Sequence, residues 1–363
     1  MNIQQKFDTL VSTLKNLLDK HAPLIRQSRR ERKLAQKPWI TKAIMVSIRH
    51  KNRLFSKICK NRAPSATNAY KKYRNLLTRI KYKAKQNYYQ YLFSAYQKNS
   101  SKTWATIHDI IGKKKEGSAI PKVVINQDNQ KVTNLANICN EFNKFFASVA
   151  PKMADRLPLS NFRFDHYMTD INQCESFFLQ PVCEDEIRNL INNLDTHKAT
   201  GPDDIPVLVL KNCRLVIAPW LAKLINECFV LGVFPDVLKI ARVTPLFKSG
   251  DKSFCNNYRP ISILSHIAKV FERLVHVRLS SFLEKNNILS NFQLGFRLAH
   301  STQHAINYLH EKFVQALDNK EHVVAACLDL SKAFDIVNHK ILLCKLQKYG
   351  VRGVTSDFFQ SHL

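Results

Sequence analysis

The chain has 363 residues, room for two or three domains. Hydrophobic residues make up 45% of it, enough to bury a core and too many for a disordered chain. It carries 56 Lys and Arg against 28 Asp and Glu, a formal charge of +28. That excess lies outside the range of an ordinary soluble enzyme and points to a polyanionic partner.

No run of 18 apolar residues occurs. The nearest, Leu215–Val230, is broken by Lys223 and Glu227, so no membrane span is expected. Met1 is followed by Gln4, Gln5, Lys6 and Asp8 rather than by an apolar stretch, which argues against a secretory signal. The nine cysteines are scattered without a CxxC pair. A zinc site or disulfide framework is therefore not expected, and a reducing intracellular compartment fits best.

The charge is uneven. Residues 1–120 hold 28 basic and 5 acidic residues, and residues 121–363 hold 28 and 23. The sequence divides into a basic helical region over 1–118, a linker over 119–178 with a hairpin and an amphipathic helix, and a mixed helix–strand domain over 179–363. In the basic region Phe7, Leu10, Leu14, Leu17 and Leu18 recur at helical spacing. A second helix is expected from about Ile40 to Lys60, up to Asn61 and the Pro64 breaker. A third runs from about Asn68 to Ser94, where tyrosines alternate with lysines and arginines. A fourth covers Ser101 to Gly112. These helices read either as solvated cylinders with a packed apolar stripe or as a basic, aromatic-studded array that tracks a nucleic-acid backbone. The total charge favours the second reading for the segment as a whole.

Lys113–Lys115 and Gly117 end the helical part. Val123–Val132 reads as a hairpin turning at Gln127–Asn129. Thr133–Ala147 is amphipathic, with Leu135, Ile138, Phe142, Phe145 and Phe146 on one face, and residues 151–178 read as irregular. Glu184, Asp185 and Glu186 occupy the first turn of a helix carrying Ile187, Leu190, Ile191 and Leu194, where acids suit the helix dipole. Lys198–Pro206 forms a tight turn into a helix at Val207–Lys211, and helix Ala218–Leu231 follows. Ile240–Phe247 reads as a strand ending in Lys248-Ser249-Gly250-Asp251. A long helix spans about Leu264–Lys285, Asn291–Arg297 is extended, and Thr302–Asp318 is a helix with Ser301 as its cap. Val323–Leu330 reads as a strand, followed by two short helices. Strands among helices give an α+β or α/β domain.

Val323–Asp329 is apolar until its final carboxylate. A strand of that kind presents Asp329 at its C-terminal tip, where sites of such sheets lie. A buried lone carboxylate costs several kcal/mol or more without a compensating cation or donors. On the residues alone Asp329 fits either a metal ligand or a helix N-cap ahead of Ser331 and Lys332. Phe334 then defaults to core, and Asp335 to a cap or salt bridge. Lys248 and Arg259 read equally as solvated charges or as anion ligands.

The run Ala326-Cys327-Leu328-Asp329-Leu330-Ser331-Lys332-Ala333-Phe334-Asp335-Ile336-Val337-Asn338-His339 resembles motif A of reverse transcriptases from non-LTR retrotransposons, the jockey and LINE group. His197–Pro206 resembles the family's opening motif, normally Lys-Ala-Thr-Gly-Pro-Asp-Gly-Ile-Pro, with Asp204 in place of the second glycine. Arg242–Asp251 with Asn257-Tyr258-Arg259-Pro260-Ile261-Ser262 is similar to the first fingers motif. Gln293-Leu294-Gly295-Phe296-Arg297 with Ser301-Thr302 is similar to the second. The basic helices of residues 1–118 resemble the segment that precedes the polymerase domain. Four blocks in the family's order carry the resemblance over most of the chain.

The resemblance implies an α+β fold, with a basic helical N-terminal region followed by a partial right-hand polymerase of fingers and the first part of the palm. It implies an RNA-directed DNA polymerase acting on an RNA template, a DNA primer and deoxynucleoside triphosphates, in the nucleus and cytoplasm. Asp329 becomes a catalytic ligand of two Mg²⁺ ions, with the Leu330 carbonyl beside it. Phe334 becomes the aromatic gate against a ribose 2′-hydroxyl. Lys248 and Arg259 become the cations that neutralise the triphosphate, and Arg297 and Asp335 support the geometry. The chemistry needs at least two carboxylates to hold two metal ions. The family's second site, an aromatic-x-Asp-Asp hairpin after Pro-Gln-Gly, does not occur in these 363 residues; the only adjacent aspartates are Asp203-Asp204. The expectation is a chain truncated within the palm and inactive alone. The alternative is a non-catalytic RNA- or DNA-binding module.

Overall fold

The computed structural model describes the chain except residues 1, 24, 26, 27, 29–36, 61, 62, 113–119, 127, 155–174 and 331. Lys113–Lys115, Gly117 and most of the 151–178 stretch therefore lie outside the described residues. In chain order the elements are α1 (Ile3–His21), α2 (Lys42–Lys60), α3 (Pro64–Ala95), α4 (Ser100–Ile111), β1 (Val124–Ile125), β2 (Lys131–Val132), α5 (Leu135–Ala154) and α6 (Glu184–Asn193). Then come α7 (Val207–Asn212), α8 (Arg214–Leu231), α9 (Asp236–Lys239), β3 (Arg242–Phe247), a 3₁₀ turn at Cys255–Asn257, β4 (Tyr258–Ile263) and α10 (His266–Lys285). The series ends with α11 (Thr302–Asp318), α12 (His339–Lys348) and α13 (Val354–His362). The fold is mixed but mainly helical. Its described strands form two antiparallel two-stranded ladders, β1–β2 and β3–β4.

The chain separates into two compact units, residues 23–119 and residues 1–22 with 120–363. In the first, Pro64 starts α3 at a position where its missing N–H costs nothing. Contacts between α2 and α3 run in opposite directions along the two helices, with Phe55 on Tyr70 at 5.5 Å and His50 edge-on to Tyr73 at 4.8 Å. Ile44 and Leu77 are buried in this seam. Asn99 caps α4 by accepting from the Lys102 amide at 3.0 Å. α4 folds back onto the end of α3, where the Tyr89 hydroxyl donates to Asp109 at 2.7 Å. Burial first, and then the Asp109 carboxylate, push the Tyr89 phenol well above its ordinary value.

In the second unit α1 lays Ile3 and Phe7 into the main core beside residues of α6, α7, α8, α10 and α13. Phe271 of α10 lies at its centre, stacked on Phe7 at 6.4 Å and touching Phe229, Phe234 and Phe358. α6 carries its three acids in the first turn, as the dipole favours, and Arg188 reaches back to Glu184 and Asp185 at 2.6 and 2.7 Å. Arg278 of α10 grips Glu186 through both terminal nitrogens at 2.8 and 2.9 Å. The same guanidinium donates to the Gln180 and Pro181 carbonyls, so one side chain fixes the approach to α6.

A smaller core of Val124, Ile138, Phe142, Cys255 and Tyr258 seats the β3–β4 hairpin on α5. α5 follows the amphipathic stripe but continues through Pro151 to Ala154, beyond the irregular start expected at residue 151. Two further expectations are corrected. Asn291–Arg297 is a chain of turns, not an extended segment, with Phe296 at φ 61. Val323–Leu330 is not a strand: no ladder pairs it among the described residues. Its apolar composition suits a strand buried on both faces, but burial requires neighbours, and Val324 and Leu328 are 93% and 94% exposed. Ser301 stands at the N-cap of α11 with extended backbone, yet its side chain makes no capping bond.

Candidate functional site

The expected site residues fall into three places. Lys248 and Arg259 lie on the β3–β4 hairpin, Arg297 ends the turns after α10, and Asp329, Leu330, Phe334 and Asp335 lie between α11 and α12.

The hairpin has two unlike faces because its residues alternate. Leu246 pairs with Arg259 and Phe247 with Tyr258. Tyr258 is buried, edge-on to Phe142 at 4.9 Å and to Phe247 at 5.4 Å. Leu246 and Arg259 are exposed on the other side, and Lys248, two positions past Leu246, continues that side. The ladder extends to it, since the Lys248 amide donates to the Asn257 carbonyl at 2.8 Å. Lys248 and Arg259 are thus diagonal neighbours across the two strands, a relation that places Cα atoms roughly 7–8 Å apart. No described carboxylate pairs with either of them. Two unneutralised cations on one rigid face can hold an anion, with Arg forking two oxygens and Lys supplying a point charge.

The loop joining the strands is tied down from within. The Asp251 carboxylate accepts from the Ser253 amide and hydroxyl at 2.9 and 2.7 Å, which holds it below the ordinary carboxylate range. The Asn257 side chain donates to the Asp251 carbonyl at 2.8 Å, and the Tyr258 hydroxyl to the Lys252 carbonyl at 2.8 Å. Gly250 has φ 89, and a Cβ there would lie 2.8 Å from the Asn257 amide nitrogen. The cation face, on the strands, is therefore bordered by a loop held by its own hydrogen bonds.

The base of the hairpin is tied to the Lys198–Pro206 turn. Arg242, first in β3, donates to Asp204 at 2.8 Å. Asp204 has φ 55, the left-handed region, which explains why glycine is usual at this place in the motif. The guanidinium holds the Asp204 carboxyl below its ordinary range. Gly201 is buried against the start of α10, where a Cβ would lie 2.5 Å from the Ser265 nitrogen. Asp203 accepts from the Ser265 hydroxyl at 2.7 Å, and that same oxygen accepts from the Ile267 amide to cap α10. None of these contacts follows from periodicity; the tight Gly-Pro-Asp-Asp spacing was the available signal that backbone approaches backbone here.

Arg297 forms a two-pronged pair with Glu284, at 2.9 and 2.6 Å, and donates to the Ser290 carbonyl at 2.9 Å. It closes the turns after α10 onto that helix. Asp329 is exposed in irregular chain, and no hydrogen bond or ion pair joins it to Lys248 or Arg259. Phe334 is not core: it is 80% exposed, with its ring perpendicular to Phe296 at 5.9 Å. The ammonium of Lys332 lies 5.0 Å from the Phe145 ring centroid, so α5 supports both the hairpin and the turn that carries Phe334. Asp335 is exposed and donates its amide to the Lys332 carbonyl at 2.9 Å.

The donors do not make a metal cage. Among the described residues no three His, Cys, Asp or Glu side chains cluster, and Asp329 stands as a single carboxylate. A two-metal centre requires more. No helix among the described residues is long and apolar enough to cross a membrane.

Residues 247–362 match the reverse transcriptase (RNA-dependent DNA polymerase) family. The chain is 33% identical over 180 residues to the "Probable RNA-directed DNA polymerase from transposon BS" of Drosophila melanogaster, covering 48% of this chain and 20% of that protein. It is 34% identical over 176 residues to the RNA-directed DNA polymerase from mobile element jockey of the same species, covering 47% and 19%. A jockey polymerase from Drosophila funebris is 31% identical over 171 residues, covering 46% and 18%. The matched part spans about a fifth of the length of these relatives.

Proposed function

We propose that this chain, whose residues 247–362 belong to the reverse transcriptase family and resemble the non-LTR elements of the jockey group, supplies the triphosphate-binding fingers of an RNA-directed DNA polymerase. The reading assigns 179–363 to fingers and the first part of the palm, with RNA template, DNA primer and deoxynucleoside triphosphates as ligands. The observation that supports it best is the exposed face of the β3–β4 hairpin, where Lys248 and Arg259 stand together unpaired by any described carboxylate. In this reading the two cations bind and orient the triphosphate. Phe334 meets the sugar, while Arg297 and Asp335 hold the neighbouring turns. Asp329, with the Leu330 carbonyl, would be the polymerase's first metal ligand for Mg²⁺.

Among the described residues the donor set does not fit a metal pair, so no catalytic step is assigned to it. In this reading residues 1–363 by themselves are not expected to extend a primer. The test separates binding from turnover. Titration of a deoxynucleoside triphosphate into the wild-type chain, Lys248→Ala and Arg259→Ala, followed by calorimetry, should show each variant binding about tenfold or more weakly, as loss of a charged hydrogen bond predicts. Equal affinity in all three removes the fingers assignment. Primer extension by the wild-type chain, abolished by Asp329→Asn, removes the statement that it is inactive alone.

A second reading, a nucleic-acid-binding module without catalysis, is favoured by one observation. Residues 23–119 carry 25 Lys and Arg against three acids. Of those acids only Asp109 is described, and it is engaged by Tyr89. Both readings share an N-terminal region that binds RNA or DNA with a steep salt dependence.

A further inference from the structure

Between Lys42 and Ala95 there are fourteen Lys and Arg residues and no Asp or Glu. Eight of them form two regular lines on α2 and α3, while Lys71, Arg74 and Lys85, also exposed, lie off the α3 line. Lys42, Arg49, Arg53, Lys57 and Lys60 are exposed and recur at intervals of seven, four, four and three, a single line down α2. The line spans about 27 Å at 1.5 Å per residue. Ile44, buried in the seam with α3, lies on the far side of the helix. On α3, Lys72, Arg79 and Lys83 are exposed and recur at seven and four, on the side away from Leu77, the buried seam residue. No described carboxylate pairs with any of these eight side chains.

Because both lines point away from the same seam, they face opposite ways. Two packed helices make a layer about 20 Å thick. Charges that far apart are screened from each other at physiological salt, where the Debye length is about 8 Å. A polyanion laid along one face leaves the other unneutralised. The aromatic residues nearby are largely engaged in packing: Trp39 against Tyr88 and Tyr89, Phe55 against Tyr70, and Tyr73 against His50. Tyr82 and Tyr91 of α3 are exposed but lie about a quarter turn off its basic line, so the two lines themselves offer phosphate contacts rather than a stacking platform.

We propose that the α2–α3 hairpin binds two nucleic-acid segments at once, one along each basic face, through their phosphates. This rests on the nucleic-acid-binding part of the reading above and is independent of its fingers assignment. The contacts are independent of base sequence, and the hairpin acts as a clip between two strands.

The test uses the full chain. A biotinylated 30-nucleotide oligouridylate is held on beads, and retention of a second, fluorescent oligouridylate measures bridging. The wild-type chain should retain the second strand. The triple variants Arg49→Gln/Arg53→Gln/Lys57→Gln and Lys72→Gln/Arg79→Gln/Lys83→Gln should each still bind one strand while bridging falls at least tenfold. Each should also lose about two units of the log–log salt slope, from three lost contacts to single strands. Glutamine keeps helix propensity, which far-ultraviolet circular dichroism checks. If a triple loses helical signal, Arg53→Gln and Arg79→Gln singly give the same contrast at lower amplitude. Three results overturn the proposal: one-to-one binding without bridging by the wild type, bridging untouched by either triple, or bridging confined to complexes that light scattering shows to hold two copies of the chain. Absence of any oligonucleotide binding overturns it together with the nucleic-acid reading.

Discussion

The Asp204 carboxylate accepts from the Arg242 guanidinium at 2.8 Å, so a left-handed residue of one turn holds the first residue of the strand that leads to Lys248. Both side chains are half exposed, and such a pair contributes about 0.2–1 kcal/mol. Asp204→Gly loses the pair and relieves a left-handed conformation that costs an L-residue roughly 1–2 kcal/mol. Urea unfolding should place this variant within about 1 kcal/mol of wild type. Asp204→Val loses the pair and adds a β-branched residue at positive φ, so it should be destabilised by about 2 kcal/mol or more.

Tyr258 separates seating from ligand contact. Tyr258→Phe removes one hydrogen bond to the Lys252 carbonyl and should cost about 1 kcal/mol. Tyr258→Ala empties the contact with Phe142 and Phe247 and should cost about 3–5 kcal/mol. Triphosphate binding, measured by calorimetry below the unfolding transition, should survive the first change and fail with the second. Binding unaffected by Tyr258→Ala would show that the cation face does not depend on its seat.

Phe7 tests the docking of α1. Its side chain is fully buried against Phe271, and Phe7→Ala should destabilise the second unit by about 3–5 kcal/mol. Chemical denaturation read by circular dichroism checks this. Leu17→Ala, on the same helix but exposed, should stay within about 0.5 kcal/mol of wild type.

His266 predicts a pH dependence. It is buried at the start of α10, with Nε2 unpartnered, and burial lowers its pKa below the ordinary value of about 6.5. The neighbouring Lys269 ammonium lowers it further, and Asp203 opposes both. As pH falls through about 6.5 the unfolded chain takes up a proton that the folded chain does not, so stability falls. Denaturation midpoints at pH 7.5 and 5.5 should differ more for wild type than for His266→Phe. Equal differences would mean that His266 titrates alike in both states.

The helices were largely legible because an apolar stripe at 3.6 spacing survives whatever it packs against. α2, α10 and α11 lie within two residues of their expected bounds, and α1 and α6 are helices where the apolar spacing placed them. The stripe on α1 says that Phe7 is packed; it does not say that the partner is Phe271. Lys248 and Arg259 were nameable from their motifs, but their common face depends on the pairing of Leu246 with Arg259, which no local pattern specifies. Val323–Leu330 shows the opposite limit. Its residues suit a strand on every local criterion, yet a strand is a relation between segments, and no described segment completes it. Asp204 was visible as a departure from its motif, and only φ 55 gives the reason why the departure has a cost.

The open main chain of Val323–Leu330 has a consequence for handling the protein. Among the described residues no ladder engages its main chain, and Val324 and Leu328 are exposed, so a second extended segment, including the same one from another molecule, could be laid against it. Such growth depends on concentration and needs no unfolding. Dilution, Val324→Lys or Leu328→Lys should slow this edge-to-edge association, which light scattering over a concentration series checks, so a segment that shares Ala326–Leu330 with the polymerase-like run also bears on how the protein is stored.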